Sequence, residues 1–139
     1  MPEGTILAFD FGTQRIGVAV GEGLIGQARA LTTIDSPAND ARFAAIGKLI
    51  AEWQPACLVV GLPLALDGTE HEMTARSRRF AHQLEGRFRL PVTFVDERLT
   101  SVEAGRDLKP SRDKSAKARI DAEAARIILQ DWFEHAQTA

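Results

Sequence analysis

The stretch that most constrains the fold is residues 5–20, TILAFDFGTQRIGVAV. It begins with the continuous apolar run 6–9, which is typical of a strand buried in the centre of a sheet. Residues 12–14 have turn chemistry, and apolar and small residues then alternate over 16–20 as in a half-buried second strand. The sequence therefore predicts a β-hairpin whose first strand lies inside a sheet.

Asp10 is the unusual residue of this hairpin, because it closes the predicted buried strand. A carboxylate in that position loses hydration unless a cation, hydrogen bonds or water compensate for it. The hairpin alone leaves two interpretations open. Asp10 is either a functional acid or a turn cap that accepts hydrogen bonds from the backbone N–H groups of Gly12 or Thr13.

Further strands and helices follow from apolar runs and their period. The sequence predicts a third strand over 28–34, a helix over 40–53, a buried strand over 56–60, a helix to about residue 88, a strand over 92–95 and a final helix to about residue 133. Thr69 and Glu72 resemble a capping box for the second of these helices, and Thr100 or Ser101 is expected to cap a short additional one.

This order of elements predicts the topology of the sheet. The first three strands are close enough in sequence to pair antiparallel, whereas the last two need helical crossovers and pair parallel. We therefore expect one α/β domain over residues 1–139, with a mixed five-stranded sheet flanked by helices.

Net charge, cysteine content and apolar runs limit the classes of protein to which this chain can belong. The formal net charge of −2 does not suit a protein whose main role is to coat nucleic acid. The single cysteine, Cys57, lies in an apolar run, so we expect it to be buried, and no disulfide can form within one chain. With neither an export leader nor an apolar run of about 18 residues, the sequence predicts a cytoplasmic protein without a membrane span.

Three acids are predicted to converge at the carboxyl ends of the parallel strands, where ligands of open α/β sheets bind. Asp10 ends the first strand, and Asp96 and Glu97 follow the last. Strand alternation lets only one of that pair face the site; we favour Glu97 for its longer side chain and keep Asp96 as the alternative. Asp121 lies beside the apolar stripe of the final helix, and its alternative role is to interact with the helix dipole.

Clustered carboxylates repel one another unless a hard cation neutralises them, and Mg²⁺ or Mn²⁺ is the natural ion. Two such ions about 4 Å apart can activate a water molecule and stabilise the leaving oxygen of a phosphodiester. We therefore predict that Asp10, Glu97 and Asp121 are catalytic and bind metal in a two-metal phosphodiester hydrolase.

Basic residues flank these acids and indicate a nucleic-acid partner. Residues 106–119 hold six Lys or Arg against two Asp, and a second group of arginines surrounds the preceding helix. For any single arginine, solvated surface is the simpler interpretation. The candidates for contact with phosphate are Arg15, Arg76, Arg98, Lys109, Arg112, Lys114 and Lys117. Arg15 and Arg98 have pairing with a neighbouring acid as their alternative role.

Five segments together resemble the YqgF (RuvX) family over nearly the whole chain. They are FDFGTQRIGVAVG at 9–21, VVGLPLALDGTE at 59–70, TARSRRF at 74–80, VDERLTSVEA at 95–104 and IDAEAARIILQ at 120–130. The resemblance implies a ribonuclease H-like fold and a nuclease of pre-16S rRNA in the bacterial cytoplasm. It also carries the family's catalytic acids onto Asp10, Glu97 and Asp121. The segment LKPSRDKSAKAR at 108–119 departs from the Gly- or Asn-containing stretch common in the family.

The expected function is thus metal-dependent cleavage of structured nucleic acid, most simply at the 5′ end of pre-16S rRNA, by a monomer or weak homodimer. A Holliday junction resolvase is one alternative, and a non-catalytic RNA- or DNA-binding factor is another. Residues 10–13 also resemble the first phosphate motif of actin-like ATPases. Those enzymes need two domains of this topology, and 139 residues supply only one.

Overall fold

A computed structural model describes residues 4–97 and 114–138, with side chains in the second range described from 119 to 135. Strands β1 (Thr5–Phe11), β2 (Arg15–Glu22) and β3 (Gln27–Asp35) come first, followed by helix α1 (Asn39–Trp53). Then come strand β4 (Cys57–Leu62), helix α2 (Glu72–Phe88), strand β5 (Val92–Asp96) and helix α3 (Lys114–Thr138).

The five strands form one sheet in the order β3-β2-β1-β4-β5. β2 is antiparallel to both β1 and β3, whereas β4 is parallel to β1 and β5 is parallel to β4. This confirms the predicted mixed sheet. β1 lies at its centre, as the continuous apolar run indicated, and the carboxyl ends of β1, β4 and β5 lie at one edge of the sheet, called the carboxyl edge below.

The two faces of the sheet bury two separate cores because side chains alternate along each strand. Leu7 and Phe9 of β1 pack in the core with helices α1 and α2, whereas Ile6 and Ala8 pack in the core with helix α3. Asp10, two residues after Ala8, belongs by this alternation to the α3 face. Phe11 packs against the opposite core.

Helix α3 lies close against the sheet because glycines stand beneath it. A Cβ atom on Gly17 would overlap the backbone carbonyl oxygen of Asp121, and one on Gly21 would lie 2.6 Å from the ring of Phe133. Gly17 is also the antiparallel partner of Asp10 in the sheet. The approach of α3 to Gly17 therefore brings Asp121 next to the strand pair that carries Asp10.

The start of α2 corrects the sequence prediction. The helix begins at Glu72 with His71 as its N-cap, and the capping box joins His71 and Thr74. Thr69 is not the cap, since its hydroxyl and backbone N–H both donate to the carboxylate of Asp67 within the preceding loop. The predicted Thr69–Glu72 box was wrong because that hydroxyl is used locally.

Three further predictions concern the cysteine, a membrane span and a short additional helix. Cys57 is buried, as predicted, and burial raises the pKa of its thiol. Within the described ranges, no helix has the length and apolar character needed to cross a membrane. The short helix expected near Thr100 or Ser101 lies outside the described residues.

Candidate active site

Asp10 and Asp121 line one cleft at the carboxyl edge. The cleft has a volume of about 300 Å³, and its walls include Asp10, Phe11, Gly12, Arg15, Met73 and Asp121. Asp10 is 5% exposed. The β1–β2 turn is tight, since a Cβ atom on Gly12 would come within 2.5 Å of the carbonyl oxygen of Arg15. The turn thus places Arg15 on the same cleft as the two acids.

Glu97 follows β5 and is 2% exposed, so it is one of the most deeply buried charged residues in the described chain. Its carboxyl carbon would lie 3.2 Å from a Cβ atom on Gly61 of β4, and Ile128 of α3 would lie 2.6 Å from that same atom. The absence of a side chain at Gly61 leaves room for Glu97 over β4, the strand between β5 and β1. Glu97 therefore shares the α3 face with Asp10, while alternation directs Asp96 to the other face.

Asp121 forms an ion pair with Arg15, in which the guanidinium Nε donates to the carboxylate Oδ2 at 2.6 Å. The two side chains are 29% and 19% exposed, so the pair is partly shielded from water. Asp121 is the eighth residue of α3. The dipole interpretation therefore does not hold, since that interaction is confined to the first turn.

The donor set suits a hard divalent cation, because carboxylate oxygens are the ligands that Mg²⁺ and Mn²⁺ prefer. However, the described residues contain no group of three His, Cys, Asp or Glu side chains placed to hold one ion. The expected three-carboxylate cluster is thus not formed in this arrangement, in which Arg15 binds Asp121. The metal-binding role of Asp10, Glu97 and Asp121 stays a prediction.

Arg42 supports the site and was missed in the sequence. This residue of α1 is 3% exposed, and its Nη2 donates to the carbonyl of Gly12 at 2.7 Å. Its Nε donates to the carbonyl of Ser36, and the guanidinium lies over the ring of Phe11. Burial lowers the pKa of Arg42. One signal was available: Arg42 precedes the buried Ile46 by four residues and so lies on the apolar side of the helix.

The predicted phosphate contacts are only partly described. Arg15 binds Asp121, and the exposed Arg76 pairs with Glu72 one turn before it at 2.7 Å. Lys114 and Lys117 belong to the first turns of α3, but their side chains lie outside the described part. Arg98, Lys109 and Arg112 also lie outside the described residues.

The strand order, the helices on both faces and the acids at the carboxyl edge define a ribonuclease H-like α/β protein. Two solved structures of RuvC from Thermus thermophilus share this fold. The RuvC structure with a Holliday junction substrate aligns with a TM-score of 0.59 and 15% identity, over 97% of this chain and 96% of that one. A second RuvC structure gives a TM-score of 0.56 and 16% identity, over 96% of both chains.

Within this class the chain belongs to the RuvX family, whose model, described as Holliday junction resolvase, matches residues 4–135. A protein of Dechloromonas aromatica named "Putative pre-16S rRNA nuclease" is 58% identical over 133 residues, which cover 94% of this chain and 91% of that protein. A protein of the same name from Methylobacillus flagellatus is 56% identical over 133 residues, which again cover 94% of this chain and 91% of that protein. The resemblance read from the five motifs is confirmed.

Proposed function

We propose that this chain is a divalent-metal-dependent endonuclease that hydrolyses phosphodiester bonds of pre-16S rRNA. The observation that carries the proposal is the burial of Asp10 and Glu97 on one face of the sheet at its carboxyl edge. Buried carboxylates are costly to keep charged, and such groups concentrate at functional sites. The family and the names of the relatives support the nuclease activity and the substrate.

Asp10 and Glu97 would hold the cation with their carboxylate oxygens, and Asp121 would be a third ligand. A bound Mg²⁺ or Mn²⁺ would supply an activated water molecule and neutralise charge on the leaving oxygen. In a two-metal site the two ions would share these tasks. Asp121 becomes available only when Arg15 releases it. A substrate phosphate is a suitable new partner for Arg15, since its guanidinium binds phosphate as well as carboxylate.

This exchange of partners would couple substrate binding to assembly of the site. In the free protein, Arg15 neutralises Asp121. In the complex, Arg15 would contact a phosphate of the nucleic acid and leave Asp121 to the cation. The proposal also includes a cytoplasmic location, where pre-rRNA is found in bacteria, and a monomer or weak homodimer.

A cleavage assay on a pre-16S rRNA fragment with Mg²⁺ or Mn²⁺ tests the proposal. Asp10→Asn and Asp121→Asn should each lower the rate by at least about 100-fold, the usual scale for a lost catalytic group, while the RNA is still bound. The control is Glu52→Gln, an exposed acid in the last turn of α1 away from both clefts, and this variant should cleave at the normal rate. Failure of the native protein to cut this RNA with either metal would contradict the proposal.

Two other functions each have one supporting observation. The description of the family model favours a Holliday junction resolvase. The ion pair between Arg15 and Asp121 favours a non-catalytic nucleic-acid-binding factor, because it occupies one of the three acids. Paired incisions in a four-way DNA junction would support the first. Cleavage of neither substrate, with RNA binding intact in Asp10→Asn, would support the second.

A further inference from the structure

A second cleft opens on the other face of the sheet, between the first turns of α1 and α2. Its volume is about 400 Å³, and its walls include Phe11, Arg42, Glu72, Arg76, Arg79 and Gln83. We call it the α1–α2 cleft. Both helices begin at the carboxyl edge, since α1 follows β3 and α2 follows β4. The α1–α2 cleft and the cleft of Asp10 therefore open at the same edge of the molecule.

The side chains of the α1–α2 cleft suit an anionic ligand. Three arginines and one glutamate leave a formal charge of +2 on its walls. Arg76 pairs with Glu72, and Arg42 donates to backbone carbonyls. Arg79 is exposed, and among the three arginines its charge is the least compensated by the bonds described. The cleft walls also include the rings of Phe11 and Phe80, which lie 4.9 Å apart, and Phe80 is 3% exposed. An exposed arginine suits a phosphate group, because its planar guanidinium can bind phosphate oxygens through two parallel hydrogen bonds.

The two clefts are neighbours at the carboxyl edge. Phe11 lines both, and Asp10, its neighbour in β1, lines only the cleft on the α3 side. The first turn of α2 is shared in the same way, because Met73 lines the Asp10 cleft while Glu72 and Arg76 line the α1–α2 cleft. Phe11 and the first turn of α2 thus separate the acids of one cleft from the arginines of the other by a short distance along the chain.

We propose that the α1–α2 cleft binds the sugar-phosphate backbone of the substrate strand beside the phosphate that is cleaved. Arg76 and Arg79 contact phosphate, and Arg42 is a positioning residue that fixes Phe11 and the β1–β2 turn between the two clefts. The statement that the bound strand is the one cleaved at the neighbouring acids rests on the proposed nuclease function. The affinity of the cleft for a nucleic-acid backbone does not.

Binding is measured in Asp10→Asn protein, so that cleavage does not interfere, with an unpaired RNA oligonucleotide and a DNA of the same sequence. Arg76→Gln with Arg79→Gln should weaken binding about tenfold at about 0.1 M salt, because two charge-assisted contacts are lost. The slope of log affinity against log salt should fall by about 1.4, since each phosphate contact of a single strand contributes about 0.7.

Two further variants separate this cleft from general surface charge. Lys48→Gln removes a positive charge from an exposed position of α1 away from the cleft, and it should leave both affinity and slope unchanged. Glu72→Gln removes the one negative charge of the cleft wall and should tighten binding. In cleaving protein, the double arginine variant should raise KM with little change in kcat, because its contacts are equal in ground and transition states.

The outcomes for the two proposals can be told apart. If the double arginine variant binds both oligonucleotides like Lys48→Gln, the proposal for the α1–α2 cleft is overturned, whatever the nuclease assay shows. If the native protein cuts no substrate but the double variant loses affinity and slope as described, the nuclease proposal fails and the backbone-binding cleft stands.

Discussion

Asp10 is 5% exposed and lies one residue before the end of β1, the central strand of the sheet. Asp10→Asn replaces a buried charge with a neutral group of the same shape, so we expect unchanged or higher stability without metal. Mn²⁺ should raise the melting temperature of the native protein as ln(1 + [L]/Kd), and Asp10→Asn should lose most of this rise. Thermal unfolding with and without Mn²⁺ measures both effects, and an equal rise in the two proteins would contradict the metal site.

A change at Arg15 should have the opposite effects on stability and on the response to Mn²⁺. Arg15→Gln breaks the ion pair with Asp121, and the partly exposed pair should account for about 1 kcal/mol of stability without metal. The freed carboxylate no longer has a competing cation, so the Mn²⁺-dependent rise in melting temperature should be larger than in native protein. Cleavage should be slower because the proposed phosphate contact is lost. A smaller Mn²⁺ effect would show that Arg15 does not compete with metal for Asp121.

The sequence could identify the acids but only some of the residues that contact them. Asp10 was visible because a charged residue closes an apolar run. The period of a strand showed that only one of Asp96 and Glu97 faces the site, and the longer side chain favoured Glu97. For Arg15 the sequence left two partners open, a phosphate or a neighbouring acid, and the structure shows the acid, Asp121. Arg42 was not singled out in the sequence. Each of these two arginines makes its decisive contact with a residue distant in the chain, 106 positions away for Arg15 and 30 for Arg42. Such contacts are set by packing, and local patterns do not encode them.

At the scale of elements, the fit of α3 against the sheet decides where Asp121 stands. Gly17→Ala would place a methyl group on the backbone carbonyl of Asp121, and rigid backbone cannot move aside cheaply. We expect destabilisation of about 3 kcal/mol or more, at the upper end of overpacking, together with reduced cleavage. The matched control is Gly86→Ala in α2, where a Cβ atom meets nothing within 4 Å. That change should stabilise by about 0.5–1 kcal/mol through helix propensity.

Urea unfolding of both glycine variants checks this prediction. If Gly17→Ala unfolds at the same urea concentration as the native protein, the close contact between α3 and β2 is wrong. The elements themselves were predictable, because apolar runs such as 57–60 and helical spacing in α1 are strong local signals. The start of α2 was not, since His71 caps the helix through a ring nitrogen and the more familiar threonine binds Asp67 instead.

At the scale of the whole molecule, the local charge of the α1–α2 cleft is opposite in sign to the net charge of the chain. The chain has a net charge of −2, yet the α1–α2 cleft carries three arginines and the other cleft carries two acids beside one arginine. The order of elements in the sequence predicted that the acids lie at the carboxyl edge of the sheet, whereas the α1–α2 cleft was not predicted. The depth of the clefts depends on packing between helices and was not predictable in the same way.

The number of active sites that act together separates the leading function from its closest rival. Symmetric resolution of a four-way junction needs two sites related by a two-fold axis, and hence a dimer, whereas cleavage of one precursor strand needs a single site. We expect the rate of pre-16S rRNA cleavage per chain to be independent of protein concentration, including concentrations at which sedimentation detects dimers. We also expect no paired incisions in a four-way DNA junction. A rate per chain that rises with the dimer fraction, together with paired junction cuts, would identify the protein as a resolvase instead.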